Sequence, residues 1–437
     1  MNSESSLRAT DQTAPAQHPP SSPTTSSQPF PIEAVRARFP ALRKECAYLD
    51  NPAGTQVPGS VIAAVSAAMS DAASNLGGFF KDSQAADEIY VRALAAMADL
   101  LGGASEREIV IGQSMTMLTF QMSRSLGHDW RAGDEIVVTR MDHEGNVSPW
   151  LRLAEERELT VRWLPFNRDS WRIEPDELKA VLNERTRLLA LNYASNLTGS
   201  INPVAALTRI AKDAGALVYV DAVQFVPHGK ADVAQLGCDF LACSSYKFFG
   251  PHLGVLWGRE DLLAEVYPYA VRCAPQRPPG RHDSGTPQTE MLAGLAAAVD
   301  YIEWLGSVTG TIGTRRERIS GGYRAATAYE MPLAQHLIDE LLSVPQLKVQ
   351  GITQAARLHE RVPTVSVTHP RHANSALARA LADQGINVWS GHNYALEVSR
   401  ALGLDDREGV LRIGLAHYNT AAEVERIATA LKQLLRQ

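Results

Sequence analysis

Seven short apolar runs mark the middle of the chain, and the stretches between them have helical rather than strand periodicity. The runs are Glu108–Ile111, Asp134–Thr139, Leu159–Leu164, Thr186–Asn192, Ala216–Val220, Asp239–Ser244 and Gly254–Trp257. Their richness in Val, Ile and Leu suits strands buried on both faces. Met115–Leu126, Pro149–Glu158, Glu174–Leu182 and Val204–Ala214 read as the intervening helices. A strand followed by a helix meets its next neighbour in parallel, so the alternation predicts an α/β fold with a large, mostly parallel sheet covered on both faces. Such sheets bind ligands beyond the carboxyl ends of their strands. The rule points at the loops after Ile111, Thr139, Asn192, Val220 and Ser244.

A chain of 437 residues is too long for one hydrophobic core. Upstream of the sheet pattern, Pro58 opens an amphipathic helix through Ala72, with Pro in the first turn where a missing N–H costs nothing. After Gly306 the texture changes. Helical stretches at Arg315–Ala328 and Pro332–Leu342 precede a strand at Thr364–Val367, a helix at Ser375–Gln384, a strand at Leu411–Leu415 and a closing helix at Ala421–Leu435. We therefore expect a large domain over residues 51–305 and a smaller α+β domain over 306–437, with residues 31–50 packing on the smaller one. Residues 1–30 are mostly Ser, Thr, Pro, Gln and Ala and bury too little to offset their ordering entropy, so a disordered tail is expected there. The tail lacks the apolar segment of a signal peptide.

Composition narrows the partners. A net charge of −6 with no Lys/Arg run argues against a nucleic-acid surface. No apolar stretch is read as reaching the roughly 18 residues of a membrane helix. Cys46, Cys238, Cys243 and Cys273 form no CxxC or Cys/His ladder, so neither a disulfide framework nor a metal site is expected, and a reducing cytoplasm is.

The strongest chemical signal is a pair of strand-end segments. Tyr219–Gln224 (YVDAVQ) ends an apolar run with Asp221, and Cys243–Pro251 (CSSYKFFGP) follows with Lys247. A carboxylate at a strand end stabilises a protonated ring nitrogen, which makes pyridoxal 5'-phosphate (PLP) an electron sink. A partly desolvated lysine has its pKa lowered and forms a Schiff base. Singly, each residue reads as a surface Asp or Lys. Together they point to a PLP enzyme with its cofactor on Lys247.

Several segments in order resemble the class V aminotransferase family of fold-type I PLP enzymes, and within it the cysteine desulfurase/selenocysteine lyase branch. They are Tyr48–Gln56 (YLDNPAGTQ), Asp142–Asn146 (DHEGN), Ser195–Gly199 (SNLTG), Asp221–Gln224 (DAVQ), Ser244–Lys247 (SSYK), Ser284–Pro287 (SGTP) and Arg412–Asn419 (RIGLAHYN). The resemblance implies the PLP-dependent transferase fold. It puts Thr116 at the cofactor phosphate, with Ser114 and Met115 adding backbone donors at a helix N-terminus suited to an anion. Ser244 and Tyr246 fall at the same phosphate, Tyr246 standing where most relatives carry His. His143 matches the ring-stacking histidine, and Asn196 and Gln224 match groups on the phenolic oxygen. Thr286 falls where the family reaches the partner subunit's phosphate, which implies a homodimer with a shared site. Arg412 matches the arginine that clamps the substrate carboxylate, as a planar guanidinium does well. Asn51, Ala53, Trp389, His392 and Tyr394 fall on the substrate side.

One departure bears on the reaction. In the loop Asn387–Ala395 (NVWSGHNYA), Tyr394 stands where desulfurases place a cysteine nucleophile, and Trp389 where many relatives carry arginine. Phe79 and Phe80 replace a more basic stretch and are candidates, with Trp389 and Tyr394, for an aromatic pocket. Without the thiol, sulfur transfer through a persulfide has no acceptor in this loop. Cys273 lies in a Pro-rich loop and reads as inert. The expected function is action on an amino acid, best as a C–S β-lyase. Transamination, epimerisation and retro-aldol cleavage use the same parts, and a non-enzymatic PLP-binding protein is the rival from another class.

Overall fold

The computed structural model describes residues 29–404 and 406–436. Its main sheet has seven strands: β1 (Ile109–Gly112), β2 (Glu135–Thr139), β3 (Thr160–Leu164), β4 (Thr186–Asn192), β5 (Leu217–Asp221), β6 (Phe240–Ser244) and β7 (Gly254–Gly258). Their spatial order is β1-β7-β6-β5-β4-β2-β3. All run in one direction except β7, which is antiparallel to both β1 and β6. Only residues 245–253 separate β6 from β7, too few for a crossover helix, so the chain turns back on itself. Strands β2, β6 and β7 are buried along their whole length, whereas the edge strand β3 alternates exposed and half-buried positions. That difference is why the inner strands read as continuous apolar runs.

A second, antiparallel sheet holds β8 (Lys348–Gln350), β9 (Thr364–Thr368), β10 (Trp389–Gly391) and β11 (Val410–Gly414) in the order β10-β11-β9-β8. Ala47–Tyr48 pairs in parallel with Ile386–Asn387, and Ala47 and Leu49 join the hydrophobic cluster of Val365, Val367 and Ile413. Most of the tail expected over residues 1–30 lies outside the described residues. Phe30, at its end, stacks on Tyr329 with ring centroids 4.2 Å apart.

Two long helices escaped the sequence reading, Lys81–Leu101 and Thr289–Val308. The second corrects the expectation that no apolar stretch is long enough to cross a membrane. Among the described helices it alone is, by length and composition. Its packing explains the composition: Leu292, Leu295, Val299, Ile302 and Leu305 are buried in the main core. It crosses the helix Arg315–Leu342 through glycines. A Cβ on Gly306 would lie 1.8 Å from the Arg318 carbonyl oxygen, and one on Gly322 would lie 2.3 Å from that of Ile302.

Arg315–Leu342 is itself a correction, because the sequence suggested two stretches parted before Pro332. The helix is continuous over 28 residues with Pro332 inside it. The proline removes the hydrogen bond to the Ala328 carbonyl at a cost of about 3 kcal/mol. Burial on either side offsets it. Ile319, Tyr323 and Ala326 sit in the core under the main sheet, and Ala334, Leu337, Ile338 and Leu341 in the core under the second. Each such side chain contributes about 1.5–3 kcal/mol when large and aliphatic.

Candidate active site

The carboxyl ends of β1, β2, β4, β5 and β6 open on one cavity. Those are the five loops that the strand pattern singled out. Its walls bring together Ser114, Met115 and Thr116 after β1, His143 after β2, Asn196 after β4, Asp221 and Gln224 at β5, and Ser244, Tyr246 and Lys247 after β6. An outer chamber shares Thr116, His143, Asn196, Tyr246 and Lys247 with it. Ala53, Glu144, Trp389, Tyr394 and Arg412 are added there.

Other expected residues lie elsewhere. Asn51 does not line either chamber. Its Nδ2 donates to the carbonyls of Tyr48 (2.9 Å) and Gly414 (2.8 Å) and to Asn419 Oδ1 (3.0 Å), and its Oδ1 accepts from the Tyr418 hydroxyl. An amide so fully engaged fixes the frame and has nothing left for a ligand. His392 accepts from the Tyr394 amide at 3.0 Å through Nδ1 and shapes the loop rather than the wall. Phe79 is 99% exposed and Phe80 59%, and neither lines a chamber, so the four-membered aromatic pocket reduces to Trp389 and Tyr394. Thr286 is exposed and borders a separate cavity with Tyr90 and Gln113.

Burial sets the electrostatics. Lys247 is 8% exposed. Desolvation brings its ammonium down to about 7, helped by Arg412 and opposed by Asp50 and Asp221. Its Nζ donates to the Pro52 carbonyl. Asp221 is pushed up to about 6 by burial, against the Val223 amide that donates to its Oδ1 at 2.9 Å and against Lys247. Burial holds His143 down at about 3, with Lys247 and Arg412 adding to the fall. Its Nδ1 accepts from the Gly145 amide at 2.9 Å, so the neutral ring carries its proton on Nε2. Arg412 falls to about 10 on burial and stays a cation at neutral pH.

Two carboxylates matter that motif reasoning did not single out. Asp50 lies 3.9 Å from Arg412 Nη2, and burial lifts it to about 6 against Arg412 and Lys247. Its neighbours in YLDNPAGTQ were the signal. Asp142 is buried behind the cavity and raised well above the carboxylate range by desolvation. It accepts from Thr139, from Asn146 Nδ2 at 2.6 Å and from the Asn192 amide at 3.1 Å, tying the ends of β2 and β4 together.

The residues present fit PLP. Met115–Leu126 starts at the cavity, its end capped by Ser114 Oγ accepting from Met117 N at 3.2 Å. The first helical amides have no intrahelical acceptor and suit a phosphate. Asn196 Oδ1, Gln224 Oε1 and Arg412 Nε are buried without a partner in the protein, as polar atoms facing a ligand would be. Asp221, Lys247 and a neutral His143 complete the donor set.

A family model described as aminotransferase class-V matches residues 47–427. The chain is 33% identical over 418 residues to the aminotransferase-like protein FGM3 of Gibberella zeae, covering 94% of this chain and all of that one. It is 32% identical over 438 residues to a cysteine desulfurase of Pectobacterium atrosepticum, covering 93% and 98%. Among solved structures it resembles the cysteine desulfurase of Thermococcus onnurineus NA1, with a TM-score of 0.84 and 28% identity over 94% of this chain and 99% of that one.

Proposed function

We propose that this chain, which belongs to the class V aminotransferase family and its cysteine desulfurase-like branch, is a PLP-dependent C–S β-lyase acting on S-substituted cysteines. The fold is that of fold-type I enzymes, and the relatives are PLP enzymes. The observation that carries the finer reading is the loop over the outer chamber, which presents Tyr394 and no cysteine.

Bound at Lys247, PLP supplies an electron sink for the charge that develops at the substrate Cα. The protein's part divides by residue. The N-terminus of Met115–Leu126, with Ser114 and Thr116, holds the phosphate, with Ser244 and Tyr246 beside it. Asp221, ionised above about 6, keeps the ring nitrogen protonated through a charge-assisted bond. A neutral His143 would lie against the cofactor ring without adding charge, and Asn196 and Gln224 would hold its phenolic oxygen. Arg412 takes the substrate carboxylate in its fork. Lys247, whose amine titrates near 7, takes the Cα proton and delivers it onward as a general acid–base. Tyr394, which lines the outer chamber, would protonate the departing sulfur through its hydroxyl.

Cysteine chemistry at the site has little support elsewhere in the chain. Cys238 and Cys243 are buried and their thiols are pushed up by desolvation, Cys238 to about 12. Neither they nor Cys46 and Cys273 line either chamber. We further propose a homodimer in which Thr286, exposed and outside its own cavity, serves the partner's phosphate. The test is release of pyruvate and ammonia from S-substituted cysteines, run alongside persulfide labelling of the protein. Stoichiometric pyruvate without protein persulfide supports the lyase. Amino transfer to a keto acid with no elimination product replaces it with an aminotransferase.

A further inference from the structure

Resting on the reading of the cavity as an amino-acid site, we propose that the outer chamber selects a substrate whose side chain ends in a cation, recognised by Glu144 with the rings of Trp389 and Tyr394. Glu144 is the one carboxylate among the residues lining that chamber. The cations at its inner end, Lys247 and Arg412, already have Asp50 and Asp221 as counter-charges. Glu144 has none. Its Oε2 accepts from Ser148 Oγ at 2.5 Å, and among the described residues no Lys, Arg or His forms an ion pair with it. A half-buried carboxylate satisfied by one neutral hydroxyl retains most of its capacity to accept.

Glu144, Trp389 and Tyr394 line the same chamber, and hydrogen bonds fix the loop that carries Tyr394, whose ring lies 5.4 Å from that of His143. The Glu144 amide donates to the Tyr394 carbonyl at 2.7 Å, and Asn196 Nδ2 donates to the Asn393 carbonyl at 2.8 Å. Asn393 and Tyr394 both take left-handed backbone, with φ of 51° and 58°. That conformation is costly for a bulky residue and is usually repaid by packing or by function. Hydrogen bonds at Asn393 and Tyr394 and the contact of the Tyr394 ring with His143 hold the turn, and they leave Tyr394 65% and Trp389 54% exposed. Two exposed rings beside an unpaired carboxylate form a surface that attracts a cation by its charge and by the ring quadrupoles. An apolar side chain in the same place desolvates Glu144 and returns no hydrogen bond. An acidic one is repelled.

The test compares isosteres on the holoenzyme: S-(2-aminoethyl)-L-cysteine, which ends in an ammonium, and S-propyl-L-cysteine, which ends in a methyl. Calorimetry gives Kd and pyruvate release gives kcat/KM. We expect the aminoethyl compound to be favoured by about tenfold or more in Kd, and Glu144→Gln to bring the ratio within about twofold. Trp389→Leu should reduce it about threefold. Equal Kd values in the parent protein, or a ratio unmoved by Glu144→Gln, overturn the inference. Because the parent ratio is read without any substitution, a poorly folding variant does not shield the idea. Equal and rapid elimination of both compounds leaves the lyase standing and removes this selectivity. Unequal binding without pyruvate does the reverse, and binding of neither removes both.

Discussion

Gly254, the first residue of β7, is where the sheet comes closest to the helix that begins at Met115. A Cβ there would lie 2.2 Å from the Ser114 carbonyl carbon and 2.3 Å from the Met115 nitrogen, against ordinary contacts of 3.4–4 Å. Gly254→Ala therefore drives the two backbones apart by roughly 1 Å, and no rotamer change relieves it. Overpacking of this kind costs about 1–3 kcal/mol of stability. The sharper effect falls on the anion site. An amide bond to phosphate stretched from about 2.9 Å toward 4 Å is lost. One or two charge-assisted bonds at roughly 1.5 kcal/mol each amount to about 1.5–3 kcal/mol, or roughly 10- to 100-fold in cofactor affinity. Titrating the apo-protein with PLP and following the bound chromophore measures that affinity, while circular dichroism on the same sample reports folding. Thr116→Val is the comparison, expected to cost about tenfold because it removes one hydroxyl only. A folded Gly254→Ala protein that binds PLP within about threefold of the parent would refute the placement of the phosphate at this helix.

Borohydride reduction of the holoenzyme should fix a phosphopyridoxyl group on the peptide containing Lys247, and a label on any other lysine removes its assignment. Reconstitution should be fast wherever the Lys247 amine is neutral. Because burial brings that amine down to about 7, the rate should rise with pH through about 7 and level off, and a rate still climbing near pH 10 contradicts the desolvated lysine. Asp221→Asn should lower kcat by at least about 100-fold while changing PLP affinity much less, since the phosphate contacts remain; parental turnover shows that Asp221 does not govern the sink. Activity should fall on dilution together with the dimer measured by sedimentation, and a fully active monomer is incompatible with Thr286 serving its partner.

The sheet was legible because its strands are short, apolar and separated by helices with a polar face. Met115–Leu126 and Thr186–Asn192 are read to the residue, and the other strands of the main sheet within one or two. Legibility failed where periodicity is erased by burial from several sides. Thr289–Val308 carries Ala, Leu, Gly and Val around most of its surface because neighbours cover most of it. Pro332 misled for a related reason. Local propensity ends a helix there, but side chains on either side belong to two different cores that the unbroken helix joins.

The site divides along the same line. A cofactor of fixed shape calls for a fixed pattern, and Asp221, Lys247 and His143 stand out in strand-end motifs of the sequence; the structure places all three on one cavity. The side that meets a variable substrate has no such pattern. The resemblance of Tyr48–Gln56 put Asn51 on the substrate side, yet it lies in a turn and its amide is spent on Tyr48, Gly414 and Asn419. Asp50, next to it, is the one that faces Arg412. Glu144 was hidden by the opposite circumstance. It follows His143 in a segment read for its histidine, and only the left-handed turn at Asn393 and Tyr394 brings the smaller sheet's loop to its backbone amide. Contacts of that kind join residues about 250 positions apart and depend on backbone dihedrals that no residue type dictates. The groups of the inner cavity thus lie in local motifs, whereas those of the outer chamber meet only through the way the loops of the two sheets are brought together.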